Sequence, residues 1–166
     1  SVIGDYNRPV SDWKFYPRSE NVEPFPTLEQ RMALYHAHAA PLSVDAIRNC
    51  TDRILPSKAI THLITVSCTG MSAPGLDLQI VDLMDLPNTI YRTSVNFMGC
   101  YAAIHALKIA EEKRKNDTAA RVMIVCTELC TLHFQKEATI DNITSSMLFA
   151  DGSAAALVTH NQYPLP

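Results

Sequence analysis

Short apolar segments rich in β-forming residues alternate along this chain with segments of helical periodicity, and this order constrains the fold more than any other feature. Residues 62–67 (HLITVS), 121–127 (RVMIVCT) and 154–159 (AAALVT) have the character of buried strands, and residues 89–97 are rich in β-formers. Alternating strands and helices are typical of α/β proteins. The sequence therefore predicts an α/β fold built on a parallel or mixed sheet.

The helices between these strands can be placed from their end signals. Residues 27–30 (TLEQ) form a capping box that opens a helix. Pro41 is expected to kink or break this helix, with a second helical stretch over residues 43–55. Pro74 is expected in the first turn of the next helix. Two more helices are predicted over about residues 100–115 and 140–149.

Proline is concentrated near the start of the chain, where half of the ten prolines lie within the first 41 residues. We therefore expect residues 1–26 to form an irregular arm and residues 27–166 to form the folded unit. The chain begins without Met and ends in QYPLP. We expect it to be a portion of a longer protein.

Composition excludes several classes of function. A chain that is 47% hydrophobic and 19% charged is globular rather than disordered. Its net charge of −3, without a basic block, argues against nucleic acid as a partner. No apolar run approaches the roughly 18 residues that a membrane helix needs, so no membrane partner is expected. Five cysteines cannot all pair, and the first residues lack a signal-peptide pattern, which together favour a cytoplasmic protein.

One cysteine lies where a predicted strand passes into a predicted helix. In the segment 96–103 (NFMGCYAA), Gly99 and Cys100 form the junction. A helix N-terminus favours the thiolate, which is the nucleophilic form used in acyl transfer, and its free N–H groups can bind an oxyanion. A small cysteine that packs the start of a helix is the alternative. Four of the five glycines also lie near predicted strand ends, where sites form in α/β sheets, although loops need glycine in any case.

Four segments in the expected order resemble type III polyketide synthases, the chalcone-synthase-like group. They are residues 62–77 (HLITVSCTGMSAPGLD), 96–103 (NFMGCYAA), 121–129 (RVMIVCTEL) and 148–156 (LFADGSAAA). The resemblance covers roughly residues 27–159, and a Cys at position 68 favours a bacterial-type member. It implies a thiolase-like fold, of which residues 27–166 would be the N-terminal half of the αβαβα layered architecture, with the C-terminal half absent.

The resemblance also implies a reaction. Cys100 would accept an acyl group from acyl-CoA, and malonyl-CoA would be decarboxylated and condensed with that group. CoA thioesters would be the substrates, with no permanently bound cofactor, and the protein would be a homodimer. The residues that bind CoA are not identified, because the family's basic CoA-binding residues would lie mostly upstream of Ser1.

Further site residues follow from the same resemblance. Phe149 matches the family's gatekeeper phenylalanine, with an ordinary core Phe as the alternative. Cys68 and Thr69 would line the reaction cavity, although Cys68 could simply fill a strand end. Ala73 stands where plant members carry a Met that reaches into the partner's cavity, which implies a cavity of different shape.

The family's mechanism also needs a His and an Asn, which come from the second half of the fold. None of the six histidines stands in a matching context: His36, His38, His62, His105, His133 and His160. We therefore expect the chain to be catalytically incomplete alone.

Three rival interpretations stay open. Cys126, Cys130 and His133 could suggest zinc, but the spacing does not place all three on one strand face, no fourth ligand is evident, and no metal is expected. A ketoacyl-ACP synthase III or HMG-CoA-synthase relative would share the fold and the cysteine. A non-catalytic thiolase-like module that only dimerises would share the fold without the chemistry.

Overall fold

The computed structural model describes Asp5 and residues 8–160. Parts of two predictions, the start of the arm and residues 161–166 of the folded unit, lie outside the described residues. Within the described part, no helix combines the length and the apolar character needed to cross a membrane.

A four-stranded mixed sheet organises the chain. Its strands are β1 (His62–Ser67), β2 (Tyr91–Asn96), β3 (Arg121–Leu129) and β4 (Asp151–Thr159), in the spatial order β2-β1-β3-β4. The first three strands are parallel, and β4 runs antiparallel to β3. The predicted α/β fold with a mixed sheet is therefore confirmed.

Helices cover both faces of the sheet. Alternate residues of β1 point to opposite faces, as strand geometry requires. Leu63 packs with one helix pair, α1 (Leu28–Thr51) and α2 (Leu76–Met84), whereas Ile64 packs with α3 (Ala102–Asn116). The two central strands are buried on both faces, which explains why they appear in the sequence as continuous apolar runs.

Helix α1 departs from the prediction at Pro41. The expected break is wrong, because one helix runs from Leu28 to Thr51 with Pro41 inside it. A proline in a helix interior removes one backbone hydrogen bond. Here Ala40 and Val44, on either side of the proline, are both buried against the sheet, and this packing maintains the helix. The predicted capping box at Thr27 is present in full.

The other element boundaries shift by a few residues. Helix α2 begins at Leu76 with Gly75 as its N-cap, so Pro74 precedes the helix instead of lying in its first turn. Helix α3 begins at Ala102 rather than Cys100, and α4 spans Ile140–Leu148, close to its prediction. Strands β3 and β4 are both longer than predicted. The end of β3 and the start of β4, which carry polar residues, pair with each other as far as Leu129 and Asp151.

The described part of the arm contains two three-residue 3-10 helices and contacts the folded unit through aromatic side chains. The hydroxyl of Tyr16 donates a hydrogen bond of 2.9 Å to the backbone carbonyl of Leu132. The ring of Tyr16 packs against Phe25 and Phe134. The arm is therefore held against the 3-10 helix Cys130–His133 that follows β3.

Candidate active site

All the residues that the resemblance singles out lie in loops at one edge of the sheet. Strands β1, β2 and β3 are parallel, so their carboxyl ends meet at the same edge. The loop after β1 carries three of the predicted site residues, and the loop after β2 carries Cys100. Strand β4 begins at this edge, since Asp151 pairs with Leu129, and Phe149 lies just before it. The carboxyl edge is where α/β proteins place their binding sites.

The turn that carries Cys100 has an unusual backbone. Phe97 and Gly99 both have left-handed conformations, with φ of 56° and 78°. A left-handed φ is favourable for glycine, and Gly99 faces open space. The turn is tied to β1 by the N–H of Phe97, which donates to the Ser67 carbonyl at 3.2 Å. As a result Cys100 is exposed, two residues ahead of the first residue of α3.

The end of β1 is held next to this turn. The thiol of Cys68 points at the carbonyl oxygen of Gly99, 3.9 Å away. The backbone N–H of Cys68 donates to both carboxylate oxygens of Glu128, at 2.9 and 3.0 Å. Glu128 belongs to β3, so one carboxylate fixes the position of the Cys68 main chain relative to its neighbouring strand. Cys68 therefore lies beside the turn that carries Cys100, and its expected role in lining a cavity stays a prediction.

Thr69 extends the same network. Its hydroxyl donates to Glu128 Oε2 at 2.7 Å and accepts from the N–H of Leu129 at 2.8 Å. Its carbonyl accepts a hydrogen bond of 2.6 Å from Nε2 of His133. Thr69 is half-buried and its hydroxyl is fully engaged by β3. It therefore positions the loop, and its expected role in lining a cavity stays a prediction.

A third thiol lies at this edge, directly after β3. Cys130 begins the 3-10 helix and is half-buried. Burial raises the pKa of its thiol, and the nearby carboxylates of Glu128 and Asp151 and the thiol of Cys100 raise it further. Cys126, deeper on β3, also has a raised pKa, through burial and Glu128. Both thiols are therefore less reactive than an ordinary cysteine at neutral pH.

Asp151, at the start of β4, holds the 3-10 helix that follows β3. Its carboxylate accepts hydrogen bonds from the N–H of Thr131 at 2.8 Å and from the Thr131 hydroxyl at 2.6 Å. Phe149 is the C-cap of α4, its N–H donates to the Ser145 carbonyl at 2.9 Å, and the residue is 47% exposed. Its expected role as the gatekeeper stays a prediction, and so does the alternative of an ordinary core Phe.

Helix α4 and the Ala73 loop complete the surroundings. No residue of α4 is buried, and its apolar side chains Ile140, Ile143, Met147 and Leu148 are exposed. Ala73 is also exposed, in the loop after β1.

The loop after β1 depends on a close approach between Gly70 and Tyr35. The Tyr35 ring is buried, and its hydroxyl donates to Ser67 Oγ at 2.7 Å. A Cβ at Gly70 would lie within 2.6 Å of three carbons of this ring. Gly70 is therefore required here by space, because the loop passes directly over an aromatic ring.

Sequence reasoning missed three residues of this site. Glu128 carries the network that joins β1 to β3, Asp151 fastens the 3-10 helix, and Cys130 adds a third thiol. A carboxylate at the predicted end of a buried strand was the available signal for Glu128. The sequence indicated no role for Cys130 except as a zinc ligand.

His133 and His105 each contact another residue, and neither belongs to a group of metal-binding side chains among the described residues. His133 reaches the edge, but its Nε2 is bonded to the Thr69 carbonyl. His105 packs edge-on against Tyr101, with 5.0 Å between ring centroids. Among the described residues, no three His, Cys, Asp or Glu side chains are grouped to hold a metal ion.

The arrangement offers one exposed thiol beside a helix N-terminus. The Cys100 thiol directly precedes Tyr101, the N-cap residue of α3. A thiol in this setting suits attack on an activated carbonyl.

Comparisons with known proteins agree with this geometry. The family described as "Chalcone and stilbene synthases, N-terminal domain" matches residues 16–162. The α-pyrone synthesis polyketide synthase-like Pks18 of Mycobacterium tuberculosis is 37% identical over 138 residues, which is 82% of this chain and 35% of Pks18. The chain thus spans about a third of the length of this curated relative.

Two solved structures share the fold at substantial sequence identity. The C-terminal type III polyketide synthase domain of Steely1, a hybrid from Dictyostelium, superposes with a TM-score of 0.77 at 31% identity, covering 83% of this chain and 38% of that one. The 1,3,6,8-tetrahydroxynaphthalene synthase of Streptomyces coelicolor A3(2) gives 0.78 at 28% identity, covering 82% and 40%. The thiolase-like architecture is confirmed, and this chain belongs to the chalcone and stilbene synthase family, the type III polyketide synthases.

Proposed function

We propose that Cys100 accepts an acyl group from an acyl-CoA thioester, as the first step of a decarboxylative condensation with malonyl-CoA. The observation that carries this proposal is the placement of Cys100. It is an exposed thiol in a left-handed turn just ahead of α3, at the edge where three parallel strands end. Membership of the family supports the choice of CoA thioesters as substrates.

The acylation step uses groups that this chain supplies. The Cys100 sulfur attacks the thioester carbonyl, the bond from that carbon to the CoA sulfur breaks, and CoA leaves as its thiol. The negative charge that develops on the carbonyl oxygen is favoured by the positive end of the α3 dipole. The N–H groups of Ala102 and Ile104 already donate to the carbonyls of Gly99 and Tyr101. In the second step, malonyl-CoA loses CO₂, and the resulting carbanion attacks the acyl carbon and releases Cys100.

Phe149 and the apolar surface of α4 suit the second step. Loss of CO₂ produces a carbanion that water would quench, so the site has to exclude water. Phe149 directly follows α4 and is exposed, and four apolar side chains of that helix are exposed as well. We propose that these residues form the dry wall of the reaction cavity.

The chain alone is expected to complete only the first step. It spans between about a third and two fifths of the length of the proteins compared above. Among the described residues, His133 is the histidine placed at the carboxyl ends of the strands, and its ring already bonds to the Thr69 carbonyl. Proton transfers in the condensation need a further general acid or base. We therefore expect an acyl-enzyme to form slowly and no product to be released.

The test separates these two steps. The purified chain is incubated with hexanoyl-CoA, with and without malonyl-CoA, and free CoA and intact mass are measured. We expect at most one acyl group per chain, loss of acylation in Cys100→Ser, and retention of acylation in the matched variant Cys126→Ser. Acylation that persists in Cys100→Ser would contradict the proposed nucleophile. Multiple turnovers with malonyl-CoA would contradict the predicted incompleteness.

We also propose that the protein is a homodimer paired near helix α3. Strand β2 is the outermost strand of the sheet, so within the described residues one side of its backbone has no strand partner. The adjoining surface carries four exposed apolar side chains, those of Phe97, Tyr101, Ile104 and Leu107. An exposed apolar patch beside the outer strand of a sheet is typical of a protein–protein interface.

Light scattering after size-exclusion chromatography tests the dimer. We expect a mass of twice 18.4 kDa for the chain and a shift to the monomer in Ile104→Glu. Leu28→Glu is the matched control, because Leu28 is also exposed but lies at the start of α1. A monomer at high concentration, or an unchanged dimer in Ile104→Glu, would contradict this interface.

A further inference from the structure

Three of the five cysteines converge at the carboxyl edge of the sheet, although only one of them is needed as a nucleophile. Cys68 directly follows β1, Cys100 follows β2, and Cys130 directly follows β3. All five cysteines of the chain are free thiols. A cluster of thiols next to an exposed nucleophilic one is a setting for reversible oxidation.

Cys68 is the thiol that the structure directs at the Cys100 turn. Its sulfur lies 3.9 Å from the carbonyl oxygen of Gly99, the residue bonded to Cys100. Glu128 holds the Cys68 main chain with two hydrogen bonds, and the Phe97 N–H ties the other end of the turn to Ser67. These hydrogen bonds hold the Cys68 main chain and the start of the Cys100 turn against the end of β1 and the neighbouring strand β3.

Cys130 is less suited to react with peroxide or with an oxidised Cys100. It is half-buried, and the carboxylates of Glu128 and Asp151 lie close enough to raise the pKa of its thiol. Attack on a sulfenic acid or a peroxide needs the thiolate. Cys68 is instead the thiol whose sulfur is directed at the Cys100 turn, through the Gly99 carbonyl.

We propose that Cys68 and Cys100 form a peroxide-sensitive pair in which Cys68 resolves oxidised Cys100 as a disulfide. The Cys100 thiolate attacks hydrogen peroxide, the O–O bond breaks, and Cys100 becomes a sulfenic acid while hydroxide leaves and takes up a proton as water. The Cys68 sulfur then attacks the Cys100 sulfur, an S–S bond forms, and a second water leaves. A dithiol reductant reverses the step by two thiol–disulfide exchanges.

The disulfide protects Cys100 from further oxidation and at the same time prevents it from accepting an acyl group. Without a resolving thiol, a sulfenic acid exposed to peroxide proceeds to sulfinic acid, which thiols do not reduce. As a disulfide, Cys100 has no thiolate with which to accept an acyl group. This loss of acylation rests on the proposed function, whereas the oxidation chemistry does not.

Peptide mapping tests the pair with the chain as it exists. The chain is treated with hydrogen peroxide, blocked with iodoacetamide, and digested with trypsin and Glu-C under non-reducing conditions. Trypsin places Cys68 and Cys100 in separate peptides, 59–92 and 93–108, and Glu-C cleavage after Glu128 separates Cys126 from Cys130. Each disulfide therefore gives a distinct mass.

We expect a cross-link between the peptides of Cys68 and Cys100 that dithiothreitol removes. In Cys68→Ser the cross-link should be absent and Cys100 should accumulate as sulfinic acid, whereas Cys130→Ser should retain the cross-link. Circular dichroism confirms that both variants fold, and Cys68→Ala repeats the test if Cys68→Ser does not. A dominant link from Cys100 to Cys130, or sulfinic acid without any cross-link in the unsubstituted chain, would overturn the proposal. None of these readouts depends on CoA substrates, so acylation and oxidation can fail separately.

Discussion

Gly70 shows at the level of a single residue how the site depends on the core beneath it. The loop after β1 passes over the buried ring of Tyr35, whose hydroxyl in turn bonds to Ser67 at the end of the strand. The sequence marks Gly70 only as a glycine near a strand end. Its requirement becomes visible once α1 and β1 are packed together.

Replacing Gly70 tests this contact. Gly70→Ala places a Cβ within 2.6 Å of three ring carbons of Tyr35, so the ring or the loop has to move. We expect the free energy of unfolding to fall by about 1–3 kcal/mol, the range for overpacked cores. Chemical denaturation measures it. Gly152→Ala is the matched control because its Cβ would meet no atom within 4 Å, and an equal loss in both variants would contradict the steric argument.

Individual site residues were predictable to different degrees. Cys100, Cys68 and Phe149 could be singled out because their motifs resemble a known family. Glu128 could not, because its function depends on the register that places it beside Cys68. A carboxylate on a strand end has no local signature that distinguishes a structural clamp from a solvated charge.

At the scale of elements, the apolar pattern predicted strand β1 completely and strands β3 and β4 only in part. The missing ends of β3 and β4 are polar, and their pairing arises from the antiparallel contact between them. Helix α1 illustrates the opposite error. The local preference of Pro41 predicted a break, but buried residues on both sides of it maintain one helix.

Replacing Pro41 tests whether packing maintains α1. Pro41 is exposed in the helix interior, so Pro41→Ala restores a backbone donor without disturbing the core. We expect the free energy of unfolding to rise by about 1–2 kcal/mol, since the helix propensity gained exceeds the entropy gained by the unfolded chain.

Thermal and urea unfolding measure this change. Pro56→Ala is the control, because Pro56 is exposed outside the α-helices, and it should lower stability by up to about 1 kcal/mol. A loss of stability in Pro41→Ala would show that the proline itself supports the helix.

At the scale of the whole molecule, the topology gathers the candidate chemistry at one place. Segments far apart in the chain, after β1, β2 and β3, meet because these strands are parallel. The alternation of strands and helices predicted that sheet, but the order β2-β1-β3-β4 and the covering of each face required the structure. The open apolar faces of α3 and α4 likewise appear only in three dimensions.

Quantifying acylation at each cysteine tests the central claim, that this topology makes Cys100 the acyl acceptor. The chain is incubated with hexanoyl-CoA at neutral pH, quenched in acid, and digested, and the acylated fraction of each cysteine peptide is measured over time. We predict that the peptide 93–108, which contains Cys100, gains the acyl group at least about tenfold faster than those of Cys126 and Cys130, whose thiolates are disfavoured. Equal rates at all cysteines, or faster acylation at Cys130 than at Cys100, would contradict the account.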